Sequence, residues 1–268
     1  MIEIIAQRQF STTYIYLDIV FLCVFCFLLL IKRKYATVIV GLLAGILYMI
    51  VDFGIFHLLT HSRSISEGHS MFWVLLWMSM SYGFTNFTWI WLWISKDKNL
   101  LQYTTLILLW WFACPLLVKL FGNPNNMIVI SRTTNQYHSY MAVILFLGYL
   151  SIIIYNLIVK DKKYQFHLLW MLAIGVLVQF GWESALLIGG IRSTLITSFE
   201  AKMMTLLVNS LLETNLGIPI IYPLFLLYSR KYTERLQKRK DVLTFKEAIC
   251  ENNELKVKRN VETSEYYR

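Results

Sequence analysis

Residues 14–34 read YIYLDIVFLCVFCFLLLIKRK, an apolar run interrupted only by Asp18 and closed by three consecutive cations, Lys32, Arg33 and Lys34. A helix that crosses a hydrocarbon core of roughly 30 Å needs about 20 predominantly apolar residues, and this run has that length. No basic segment precedes it and no small-residue cleavage site follows it, so it reads as a retained helix and no signal peptide is expected. Cations directly after a span favour the cytoplasmic side, which places its start outside.

Working outward, the same pattern recurs at 37–59, 71–94, 101–121, 140–159, 168–189 and 203–228. The runs are continuous and do not alternate, which favours helices over barrel strands. Lys96 and Lys98 follow the third run, Lys160, Lys162 and Lys163 the fifth, and Arg230, Lys231, Arg235, Lys238, Arg239 and Lys240 the seventh. The intervening loops carry scattered single charges, Arg63, Lys119, Arg132, Arg192 and Lys202. The expected fold class is an all-α integral membrane protein with seven transmembrane helices, N-terminus outside and C-terminus cytoplasmic. Residues 1–228 form the transmembrane domain and 229–268 a basic cytoplasmic tail.

Composition agrees with this reading. Of 268 residues, 57% are hydrophobic and 15% charged, which is too apolar for the surface of a soluble domain and excludes a disordered chain. Four cysteines make no disulfide framework, and Cys23, Cys26 and Cys114 lie inside apolar runs as small hydrophobes. The tail holds 11 Lys and Arg against 7 Asp and Glu. It is expected to meet anionic inner-leaflet lipid, and it lacks the glycine-rich or aromatic-interleaved pattern of a nucleic-acid module.

Ionisable groups inside spans are costly, so they mark functional sites by default. Asp52, Glu183 and Glu213 lie about 12, 10 and 15 Å below the outer boundary at 1.5 Å per residue, a common depth. Each has a polar neighbour four residues earlier: Tyr48, Gln179 and Asn209. The third span adds a stripe of Ser79, Tyr82, Asn86, Trp89 and Trp93 at helical spacing. Three carboxyls at one depth imply a cavity, in which crowding and burial would keep one of them protonated. Asp18, near a span end, is expected to reach headgroup water, and Trp91, Trp93 and Trp170 to form an interfacial belt. The stretch 132–138, with Arg132 and His138, belongs to the longest outer loop, which could fold over the cavity as a lid or bind a head group with Arg132.

Other chemistries lack support. His57 and His61 do not assemble three metal ligands, since five α-helical residues turn His57 about 140° away from Asp52. No metal or cofactor is expected. Ser184 has no nucleophile elbow, the last span has no central lysine for retinal, and 218–222 is an incomplete receptor signature. Pro219 and Pro223 are expected to kink the last span below Glu213.

The chain resembles the small seven-span membrane-bound terpene cyclases of fungal meroterpenoid and indole-diterpene pathways. The likeness rests on Tyr48 with an acid near it, on Phe72-Trp73 opening the third span, and on Glu213, Thr214, Asn215, Leu216, Gly217 followed by Arg230, Lys231 and Tyr232. Met49 stands where the family has Glu after the aromatic, and Glu213 replaces the usual Asp. The resemblance implies a carboxyl that protonates an epoxide or alkene. The leading expectation is therefore an enzyme acting on a hydrophobic isoprenoid or lipid. Glu213 would be the general acid, Asp52 and Glu183 would assist, and Tyr48, Tyr82, Asn86, Trp89, Gln179, Trp182 and Asn209 would line the pocket. A proton-coupled carrier using the same acids, or a sensor or assembly protein acting through its tail, stays open.

Overall fold

The structure is a computed structural model that describes residues 6–121, 126–132, 135–161, 164–192 and 198–237, and the tail beyond 237 lies outside the described residues. The chain runs β1 (Ala6–Ser11), α1 (Thr12–Ile31), α2 (Tyr35–Met49), which continues as a π-helix (Ile50–Leu59), then β2 (Arg63–Ile65), α3 (Met71–Ile94) and α4 (Leu100–Phe121). β3 (Met127–Arg132), α5 (Asn135–Ile158) and α6 (Leu168–Ile188) follow. The last rod is broken into α7 (Phe199–Leu212), a 3₁₀ turn (Thr214–Gly217) and α8 (Ile218–Gln237).

The helical rods coincide with the seven apolar runs, and six of them are long and apolar enough to cross a membrane. The one that falls short is α3, for a physical reason. It is the central helix, buried on nearly every face, and it can carry Ser79, Ser81, Thr85, Asn86 and Thr88 because protein surrounds it. The outer rods instead expose apolar side chains such as Val20, Phe27, Leu147 and Leu157. Small residues let α2 and α3 touch: a Cβ added at Gly83 would lie 2.7 Å from the Gly45 Cα.

One element class was not expected. The three strands form an antiparallel sheet in the order β1-β3-β2 across one end of the bundle. Arg8 pairs with Ile130, which pairs with Ile65; Ala6 pairs with Arg132, which pairs with Arg63. Alternation along each strand turns Phe10, Ile128 and Ile130 into the core, and Arg8, Arg63 and Arg132 share their face. The Gln9 amide donates to the Ile191 carbonyl at 2.8 Å, and a bridge between Arg8 and Arg192 ties the end of α6 to the sheet edge.

The stretch 132–138 is accordingly not a free loop: Arg132 ends β3, and α5 begins at Asn135. Lys32, Arg33, Lys34, Lys96, Lys98 and Lys160 gather at the opposite end, where Lys34 is ion-paired with Asp97.

Candidate functional site

The sheet carries three arginines over the carboxyls of the bundle. Asp52 is ion-paired with Arg63 and lies 3.5 Å from Arg132. Arg132 reaches Glu213 at 3.3 Å with its other terminal nitrogen, so one guanidinium bridges acids from two rods. Glu183 lies 2.8 Å from Arg192 and 3.9 Å from Arg8, and Arg192 lies 3.9 Å from Glu213. All seven side chains are largely withdrawn from solvent. Burial, and then Arg192, holds the Arg8 guanidinium below its usual range. Burial likewise brings Arg63 down to about 10 despite the facing Asp52 carboxylate.

This arrangement changes the charge argument. The expectation of a protonated acid presumes three carboxyls facing one another without counter-charge. Four guanidiniums within 4 Å remove that premise, and each acid sits in an ion pair.

Two local departures from α-helix position the acids. Asp52 lies in the π-helical part of the second rod, where the wider turn re-aims side chains. The 140° offset between Asp52 and His57 presumed an α-helix, so it does not apply here; His57 packs against Phe53. The other departure is the break at Glu213, which caps the C-terminus of α7. Pro219 cannot donate to the carbonyl four residues earlier and its ring crowds that carbonyl, so the helix gives way just before it. The prolines are expected to kink the rod and free carbonyls just below Glu213, and the interruption occupies Thr214–Gly217 directly after it. Such backbone is tolerated deep in a bundle only where protein covers it, and Thr214 and Asn215 are fully buried.

Gln179 links these parts. Its amide nitrogen donates to Glu213 at 2.9 Å and Glu183 at 3.2 Å. Its carbonyl accepts from Tyr82 at 2.8 Å and from Thr214. Tyr82 in turn packs edge-on to Tyr48, with ring centroids 4.6 Å apart.

Beside this network lies a cavity of about 890 Å³, near the upper end of ligand-site volumes. Its polar end holds Arg8, Arg63, Arg132, Arg192, Asp52 and Glu213. Below, Ser79, Tyr82, Phe87 and Trp91 of α3 form the floor. Tyr35, Ile39, Leu43 and Leu47 of α2 form one wall at helical spacing, and Ile220, Leu224 and Tyr228 of α8 form the other. From Tyr35 to Asp52 the wall runs about 25 Å. Those rim residues are exposed on the flank of the bundle, so the cavity is a groove open sideways.

The expected site residues divide around this groove. Asp52, Glu213, Tyr48 and Tyr82 line it, while Gln179 and Glu183 stand behind and hold Arg192 and Glu213. Asn209 is buried on α7 away from the lining. Trp89 donates to Thr104 at 2.8 Å and packs on Trp111, and Trp182 packs on Trp111 and Tyr82. Neither faces the groove, and buried Asn86 does not line it either. Trp91, expected in an interfacial belt, is instead buried in the groove floor against Phe225.

Asp18 does not reach water: it is buried and accepts from the Trp77 and Trp110 indoles at 3.0 and 3.1 Å. Two indole donors give a short carboxylate a reason to stay inside. Sequence reasoning singled out Arg132 as a candidate head-group contact and missed Arg8, Arg63 and Arg192 as site residues. The available signal was alternation in MIVISR, residues 127–132, which sets Ile128, Ile130 and Arg132 on one face. Among the described residues no group of three or more potential metal ligands occurs. No family model, curated protein or solved structure matches this chain.

Proposed function

We propose that the chain is a multi-pass membrane enzyme that takes an isoprenoid or other lipid into the flank groove and transfers protons to it through Glu213 and Asp52. In this reading all seven rods span the bilayer, α3 is shielded by its neighbours, and the sheet end faces outward. The clustering of lysines at the opposite end supports that orientation.

The observation that carries the reading is the shared guanidinium: Arg132 bridges Asp52 and Glu213 at the polar end of an otherwise apolar, laterally open groove. A counter-ion held by two carboxyls can lean toward either one, which leaves the other free to bind or release a proton. Glu213, oriented by Gln179, would give its proton to an alkene or epoxide oxygen, and the resulting cation would close on a neighbouring double bond. Loss of a proton to Asp52 would end the reaction, and no redox partner is required. Tyr48, Tyr82, Phe87 and Trp91 offer ring faces that favour a passing cation. This chemistry is that of the terpene cyclases the sequence resembles.

The test supplies polyprenyl and epoxy-polyprenyl substrates to membranes containing the protein and compares extracts by mass spectrometry. A product isomeric with its substrate is expected, reduced about 10²- to 10⁴-fold by Glu213→Gln. Well-folded protein that converts none of them overturns the reading.

A carrier reading has one specific support: three acids, Asp52, Glu213 and Glu183, stand in a row with Arg132 and Arg192 between them, so the carboxyls would bind and release the protons while the guanidiniums hold them in place. It expects proton uptake into reconstituted vesicles that is lost on replacing Asp52 or Glu183, and a silent vesicle assay eliminates it.

A further inference from the structure

We propose that the lipid held in the groove carries a single negative charge at its polar end, of the phosphodiester class, and that this charge docks on Arg8 beside Arg192 and Arg63. The inference rests on the reading of the groove as a lipid site and goes on to name the head group.

Three observations converge on it. Among the described residues the buried cluster contains four guanidiniums and three carboxyls, so in the resting state, with all three ion-paired and before Glu213 takes up the proton it donates, one positive charge is left over. Uncompensated charge away from water is costly, and one anion of unit charge would neutralise it. The excess can also be located. Asp52 is paired with Arg63 and Arg132, and Glu183 is nearest to Arg192, whereas Arg8 has no carboxylate oxygen closer than 3.9 Å among the described residues. Yet Arg8 lines the cavity. Further, Arg63 Nε and Ser79 Oγ are buried, have no hydrogen-bond partner among the described residues, and belong to residues lining the same cavity. A phosphate offers several acceptor oxygens to such donors.

The groove supplies the other half of the match. Below the arginines it is walled by Ile39, Leu43 and Leu47 on one side and Ile220 and Leu224 on the other, which suits hydrocarbon chains lying parallel to the helices. A soluble anion would leave that length of apolar wall unfilled. The occupant that uses both halves is a membrane lipid with a monoanionic head.

The experiment uses the full chain in detergent. Binding of phosphatidylglycerol, phosphatidylcholine, an uncharged polyprenol and free glycerol phosphate is followed by the rise in unfolding temperature and by native mass spectrometry. Phosphatidylglycerol is expected to bind roughly tenfold or more tighter than phosphatidylcholine, as for a hydrogen bond to a charged group. Arg8→Gln should erase that preference while Arg8→Lys keeps most of it. If Arg8→Gln does not fold, Ser79→Ala serves as the second variant and should weaken phosphatidylglycerol alone.

Equal binding of polyprenol and phosphatidylglycerol overturns the charge assignment and leaves the lipid groove standing. A preference that survives both Arg8→Gln and Ser79→Ala moves the anion elsewhere, such as the basic segment 230–240, and overturns the proposed dock. Glycerol phosphate binding as tightly as the lipid overturns the lipid source. If no lipid binds, the groove reading itself fails.

Discussion

The two ends of the groove solve the same packing problem with opposite chemistry. At the sheet end, four arginines and three carboxylates are drawn inside the protein. At the other end Trp91 packs edge-on against Phe225 at 5.0 Å and leans on Tyr228, and one ion pair, Lys34 with the buried Asp97, ties two loops together. The aromatic end closes with a single buried ion pair, whereas the sheet end buries a cluster. Because buried ion pairs often contribute little net stability over apolar packing, the sheet end carries them at a cost that packing alone does not justify. A functional demand for charge accounts for the difference.

The contrast is most directly broken at Arg192. Arg192→Met leaves buried Glu183 with the Gln179 amide and only the more distant Arg8 as counter-charge, and is expected to destabilise the protein by about 3–5 kcal/mol. The double variant Arg192→Met/Glu183→Met should recover most of that loss in thermal unfolding while remaining functionally impaired. A double variant as unstable as the single one would mean that the charges hold this end together, and the functional argument would lose its basis. At the other end, Lys34→Met should cost less, about 1–3 kcal/mol, because it breaks one ion pair where Arg192 faces both Glu183 and Glu213. Equal losses at the two ends would erase the distinction.

What the sequence revealed follows the same division. Helices announce themselves over 20 residues, so Thr12–Ile31 and Leu168–Ile188 agree with runs 14–31 and 168–189 to within a few positions. The interruptions were only partly visible: Pro219 marks the break after Glu213, but nothing in IVDFGIFHLL distinguishes a π-helix from an α-helix. The sheet was hidden because β2 has three residues and its partner in β3 lies more than 60 positions away. A strand of that length has no periodicity to read, and its register exists only after the helices have brought the loops together. Asp52, Glu183 and Glu213 were therefore legible as buried acids and Arg132 as a loop contact for a head group, while Arg63 and Arg192 looked like scattered loop charges and nothing marked Arg8. Missing the arginines also reversed the inference about charge, from crowded acids needing protons to ion pairs with one cation in excess.

The smallest expected stability effect offers the finest test. Tyr82 stands between the two ends, and Tyr82→Phe preserves its ring contacts with Tyr48 and Trp182 while deleting the hydroxyl that bonds Gln179 and Thr214. Thr214 remains on the Gln179 carbonyl, so no acceptor is stranded and the cost should be about 0.5–1.5 kcal/mol. Function should suffer more, because the same Gln179 amide orients both Glu213 and Glu183, and a loosened amide misplaces the carboxyl that must meet the substrate. Turnover or head-group preference measured beside unfolding temperature separates the two effects. A variant that keeps its function intact would show that the arginines alone position the acids, and would shift the organising role from the bundle interior to the sheet above it.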